Sequence, residues 1–224
     1  WNFIGGKNGN VDADTYELTR EYVRLKAKFE NVEESKVSKK QKAEYESYLQ
    51  IKDKFEKLKA KNEQQYKLYS NIYNNIAHSI DTLKSLMGVD TIRAEDLRKF
   101  ETNEPGLLFA KGFLLNMFKN IGEDGNLDEY LAELREGVDY YGVIVKYGYN
   151  ENFDSRAIVG DNIQNVNERN YGNPDVKGPD PSHGTHVSGI IAADRTNNLG
   201  IKGIANDVKI MVIRAVPNGD ERDK

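Results

Sequence analysis

Apolar positions along this chain follow two rhythms, one helical and one extended. Residues 11–87 contain neither Gly nor Pro, and their apolar side chains recur at helical spacing. Leu18, Tyr22, Leu25, Phe29 and Val32 step by four and three, which puts them on one face of a helix over about residues 12–31. A second series, Tyr48, Ile51, Phe55, Leu58, Asn62, Gln65, Tyr69, Ile72, Ile76, Ser79, Leu83 and Leu86, keeps an a/d heptad with polar interruptions. It predicts one long helix over about residues 38–88, ending at Gly88, where a left-handed cap is wanted. The short break at residues 33–36 predicts that these helices pack antiparallel, as a coiled-coil hairpin.

Shorter helices are predicted at residues 93–101, 106–120 and 127–141. The middle one is rich in Leu and Phe (Leu107, Leu108, Phe109, Phe113, Leu114, Phe118), so it is expected inside a bundle or against a second domain. Asn126 followed by Glu129 reads as a capping box for the last helix. After about residue 149 the rhythm changes. Residues 156–160 and 208–216 are β-branched apolar runs of strand length, with an apolar, small-residue helix over residues 183–193 between them. Strand, helix, strand predicts a βαβ unit and a parallel sheet. The expected fold is therefore α/β in part, a partial parallel sheet, with an inserted all-α coiled-coil or bundle segment, mostly helical overall. The expected division is 1–10 as a strand of the α/β domain, 11–150 as a helical insertion, and 151–224 as the rest of the α/β domain.

Composition narrows the chemistry. The 224 residues carry 32 Lys plus Arg against 36 Asp plus Glu, a formal charge of -4, so nothing in the global charge favours nucleic acid or an anionic membrane surface. No apolar run approaches the ~20 residues of a membrane-spanning helix. With no Cys, disulfides, thiolate metal sites and a Cys nucleophile are excluded, while the compartment stays open. Acidic and basic residues nearly balance over the long helices, which suits a solvated face carrying ion pairs. Tyr48, Tyr66, Tyr69 and Tyr73 read as bundle core or as a partner surface.

The stretch with chemistry is Asp180-Pro-Ser-His-Gly-Thr-His-Val-Ser-Gly-Ile-Ile-Ala-Ala193. His183 stands at a loop-to-helix junction, held by rigid backbone and pointing outward, with Val187, Ile190 and Ile191 expected to bury the helix. That arrangement suits a neutral imidazole acting as general base near pH 7. This block, with Asn198-Leu-Gly-Ile-Lys-Gly-Ile-Ala205 and the run at 208–216, resembles the histidine block of the subtilisin-like serine peptidases, the subtilases. The opening Trp1-Asn-Phe-Ile-Gly-Gly6 resembles the strand that follows the catalytic Asp region in some large bacterial members.

The resemblance implies peptide-bond hydrolysis by an Asp, His, Ser triad, with His183 as the catalytic histidine and His186 structural. It implies a protein or peptide substrate, an extracellular, periplasmic or cell-envelope location for the parent protein, and no required cofactor. A structural calcium near Asn197 is also implied, although the loop there departs from the family's by one residue and has Asn206 in place of the usual Pro. The family's D-[ST]-G and G-T-S blocks are absent from residues 1–224. The expectation is therefore an internal piece of a larger subtilase, with the Asp before Trp1 and the Ser after Lys224, inactive alone. Two other readings stay open. His183 and His186 form an H-x-x-H pair that a third ligand would turn into a metal site. Alternatively, the chain is a non-catalytic helical interaction or oligomerisation module, associating with itself through helices or exposed strands.

Overall fold

The computed structural model describes residues 1–178 and 180–217. Its elements are β1 (Gly5–Gly6), β2 (Gly9–Asn10), α1 (Glu17–Phe29), α2 (Lys42–Met87), α3 (Ala94–Lys99), α4 (Pro105–Ile121), α5 (Leu127–Val143), a π-helical turn at Ile144–Gly148, α6 (Arg156–Val159) and α7 (Ser182–Ala192). The chain is mostly helical. It divides into two compact units, one of Trp1–Phe55 with Lys146–Lys224 and one of Glu56–Val145.

In the first unit, α1 begins at Glu17 rather than near residue 12, because the preceding residues are held extended. Val11 N donates to Ile4 O at 2.7 Å and Tyr16 N to Gly148 O at 3.0 Å. The buried face of α1 meets the start of α2 through aromatic rings. Phe29 at the end of α1 lies 5.5 Å from Tyr45, and Tyr22, two turns earlier, stacks on Phe55 at 4.3 Å. The two helices therefore run antiparallel here, with Tyr149 closing the cluster 5.8 Å from Phe55.

In the second unit, Ile76, Ile80 and Leu83 of α2 pack with Leu97 of α3, Leu114 and Phe118 of α4, and Leu127 of α5. Ile80 lies in this core although the heptad omits it, while Ile72 and Leu86, which the heptad includes, are exposed. A helix of 3.6 residues per turn drifts ~20° per heptad against a 3.5 repeat. Tyr48, Phe55, Ile76 and Leu83, spaced in multiples of seven, are nevertheless all buried, so the buried stripe departs from the heptad only around Ile72, Ile80 and Leu86. Gly88 takes φ +66° and ends α2. The tyrosine stripe divides between the units: Tyr48 is in the aromatic cluster of the first, while Tyr66 and Tyr69 rest on α5. A Cβ at Gly137 would stand 2.6 Å from the Tyr69 ring, so that glycine admits the ring. The Asn126 side chain accepts from Asp128 N at 2.9 Å and donates to Glu129 at 3.1 Å, a cap at the head of α5.

The extended readings after residue 149 need correction. Residues 156–159 form one helical turn, capped by Gly160 at φ +75°, where a strand was expected. A run of four residues with β-branched Ile158 and Val159 is compatible with either form, and the left-handed glycine ends it as a helix. Among the described residues the run at 208–216 forms no strand, and its backbone bonds go to residues 1–3. Trp1 N donates to Val212 O at 2.6 Å, Arg214 N to Trp1 O at 2.9 Å, and Phe3 N to Arg214 O at 2.9 Å. That is a parallel pairing of residues 1–3 with 212–214. On the other side Asn2 bridges antiparallel to Asn173. Among the described residues the only ladder beyond single bridges is the β1–β2 hairpin, Gly5 opposite Asn10 and Gly6 opposite Gly9. The expected parallel sheet thus reduces to one short pairing.

Candidate functional site

His183 is the second residue of α7, following the junction at Pro181. The turn before the helix is tied by Asp180, whose carboxylate accepts from Ser182 N at 2.9 Å. The hydrogen bonds from Ser182, side chain first and backbone second, hold the Asp180 carboxyl below its ordinary range. A carboxylate at the head of a helix also meets the positive end of its dipole. His183 and His186 are both exposed, and among the described residues neither imidazole makes a hydrogen bond or ion pair.

The far end of α7 is fixed by the chain that follows it. Asp194 accepts from Thr196 N at 2.8 Å and from the Thr196 hydroxyl at 2.7 Å, which lowers its pKa. Residues 203–205 then run back along the helix, where Ile204 N donates to Ile190 O at 3.0 Å and Ala205 N to Ile191 O at 2.8 Å. Gly203 is required there, since a Cβ on it would lie 2.4 Å from Ala193 N. The apolar side chains do not follow expectation: Val187, Ile190 and Ile191 are exposed rather than buried. Burying them needs a sheet beneath the helix, and among the described residues none extends there.

The Asn197 side-chain oxygen Oδ1 accepts from Leu199 N at 2.9 Å, and Asn198 beside it takes φ +56°. Calcium takes six to eight oxygens. Among the described residues no group of three His, Cys, Asp or Glu side chains is placed to hold a metal. The His183 and His186 pair therefore gains no third ligand of those types among the described residues.

A polar network that the sequence reading missed anchors the loop leading toward α7. Asn2 is fully buried and donates to Asn10 at 2.9 Å and to Asn173 at 3.1 Å. Asn10 in turn donates to Asp175 at 2.5 Å. Arg214, 8% exposed, reaches Asp12 at 3.3 Å and Asp175 at 3.5 Å. Four stretches, residues 1–3, the hairpin, 173–175 and 214, are joined by this network. Its one sequence signal is Arg214 itself, a guanidinium inside an apolar run, which demands buried partners. Beside it lies a cavity of about 630 Å³ whose lining includes Phe3, Asp14, Arg20, Phe153 and Asp161. His183 is not among its walls.

The model of the subtilase family matches residues 51–223. The chain belongs to the subtilase family. The match takes in His183 and the 208–216 run and, upstream, most of α2 with all of α3 to α5. No curated protein and no solved structure matches the chain. The subtilases are peptidases, so protein substrates go with the family, and no helix among the described residues of this subtilase is long and apolar enough to cross a membrane.

Proposed function

We propose that this chain is the histidine-bearing piece of a subtilisin-like serine endopeptidase, with residues 11–150 as a helical insertion in its peptidase domain. The observation that carries the reading is the His183-Gly-Thr-His186 motif on the first turn of a helix whose start is pinned by Asp180 and whose His183 ring is open to solvent. A substrate and a serine can reach such a ring. In the proposed reaction His183 takes the serine hydroxyl proton as that oxygen attacks the scissile carbonyl, then gives the proton to the departing amine. A carboxylate from the Asp block holds the imidazole in the tautomer this exchange needs. No cofactor enters these steps.

Because the Asp and Ser blocks are absent from residues 1–224, the chain by itself is proposed to be inactive. The parent enzyme is proposed to work outside the cytoplasm or at the cell envelope, as subtilases commonly do.

The deciding experiment replaces His183 by Ala in the full-length parent. Losing a triad member that acts in concert with the others lowers turnover by ~10⁴-fold or more, so peptidase activity should vanish while expression and helix content persist. Activity within tenfold of the original would remove His183 from the mechanism. A second reading, an interaction role for the helical region, has its own support in an exposed face of α4.

A further inference from the structure

Helix α4 carries two stripes. Ala110, Leu114, Met117 and Phe118 are buried in the core of the second unit. On the other side Pro105, Phe109, Gly112, Asn116 and Lys119 step by four and three, the spacing of a face that meets another helix, and all five are exposed. Phe109 is 75% exposed, and among the described residues its ring stacks along its own helix, 6.3 Å from Phe113. Three residues on, Gly112 would meet nothing within 4 Å if it carried a Cβ. Glycine is among the worst residues for a helix interior, and no packing inside the chain requires it here. A large apolar knob and a bare-backbone hollow thus stand one turn apart on the same stripe.

We propose that this stripe is a homodimer contact, in which α4 packs antiparallel on α4 of a second copy about a two-fold axis passing between Phe109 and Gly112. In that register Phe109 of each copy enters the hollow over Gly112 of the other. Lys119, at the helix end, lies beside the exposed Glu101 and Glu104 that lead into α4 of the second copy. Opposite charges therefore meet twice, once at each end. An isologous contact needs one patch to supply both halves of every interaction, and this stripe holds knob and hollow, cation and carboxylates. An unrelated partner would need only one of each. The contact is a few helical turns long, below the roughly 1,200 Å² of a standard stable interface, so the dimer should form in a concentration-dependent way.

The test is sedimentation equilibrium of the 224-residue chain over a loading series, with Phe109→Ser and Gly112→Leu alongside and circular dichroism as a check on folding. The expected mass rises from 25.5 kDa toward twice that value for the wild-type chain and stays at one chain for both variants. Gly112→Leu improves helix propensity and starts from an exposed position where a Cβ meets nothing within 4 Å, so it reads the interface even if Phe109→Ser disturbs the fold. A single-chain mass for the wild type at every loading overturns the proposal. So does association that survives in both variants, which would place the contact elsewhere, for instance on the exposed apolar residues of α7. Because the test reads mass, it stands apart from the peptidase reading: loss of activity in His183→Ala leaves it untouched.

Discussion

The compact unit of Glu56–Val145 and the stretch that holds α7 are both built from apolar helices, yet only the first closes a core. In that unit Leu83, Leu97 and Leu114 are inaccessible to solvent, because α2 to α5 follow one another and supply each other's cover. On α7 and the run after it, Val187, Ile190, Ile191, Val208, Ile210 and Val212 are each about two-fifths exposed or more. The difference lies in what each needs as a neighbour. Helices complete their backbone hydrogen bonds internally and ask only for an apolar face opposite. A strand needs another strand for its backbone, and an α/β helix needs the finished sheet for its side chains.

The sharpest way to break that contrast is to cut one methyl-bearing side chain from each region. Leu114→Ala removes a fully buried side chain and should lower unfolding stability by about 3 kcal/mol. Ile190→Ala, on the exposed face of α7, should change it by no more than ~0.5 kcal/mol. Urea unfolding followed by circular dichroism measures both. Equal losses would mean that α7 is as well covered as α4, and the contrast would fail.

The buried polar network gives a smaller effect with a different cause. Asn2→Ala takes one donor each from the Asn10 and Asn173 side-chain oxygens, which keep the Asn173 amide and the Asp175 N–H, and removes the acceptor of Ile4 N; an unsatisfied buried donor costs about 1–3 kcal/mol. We expect a loss near 2 kcal/mol, with early exchange of the Phe3 and Arg214 amides, whose bonds hold residues 1–3 to 212–214. If those amides keep their protection, the pairing stands without the network.

What could be read beforehand follows the same division. The absence of Gly and Pro over residues 11–87, the Asn126 cap and Gly88 are local signals, and α2 and α5 appear where they point. His183 is legible because its motif is contiguous. Arg214 was passed over because its partners, Asp12 and Asp175, are remote in sequence and only the fold brings them together. Residues 156–159 read as a strand because β-branched side chains favour one, while a four-residue helix under Gly160 satisfies the same residues locally. Heptad counting finds Ile76 and Leu83 but omits Ile80 between them, because a helix covered by several others buries a wider stripe than the two positions per heptad of a coiled-coil seam.

A third change touches a helix end in the closed unit. Asn126→Ala removes the acceptor for the Asp128 amide and should lower stability by about 1 kcal/mol, less than either buried substitution. Urea midpoints resolve that difference. A midpoint unchanged from the wild type would show that the head of α5 is held by its packing and not by its cap.

The smallest effect belongs to the start of α7, and it carries a sign. The Asp180 carboxylate, bonded by Ser182, has a lowered pKa. Folding therefore favours its charged form, so its contribution is fully present above the ordinary carboxyl value of about 3.9 and disappears as pH falls through the lower folded value. The Ser182 amide proton, donating to that carboxylate, should shift in an NMR titration with a midpoint below 3.9, and Asp180→Asn should abolish the titration. His183 is one residue further on, so the same series reads whether the turn that presents the imidazole loosens once Asp180 is protonated. A Ser182 midpoint at or above the ordinary value would mean that the carboxylate is not bonded in solution. The exposed helix would then begin without this cap, and the contrast with Asn126, which caps a helix in the closed unit, would be complete.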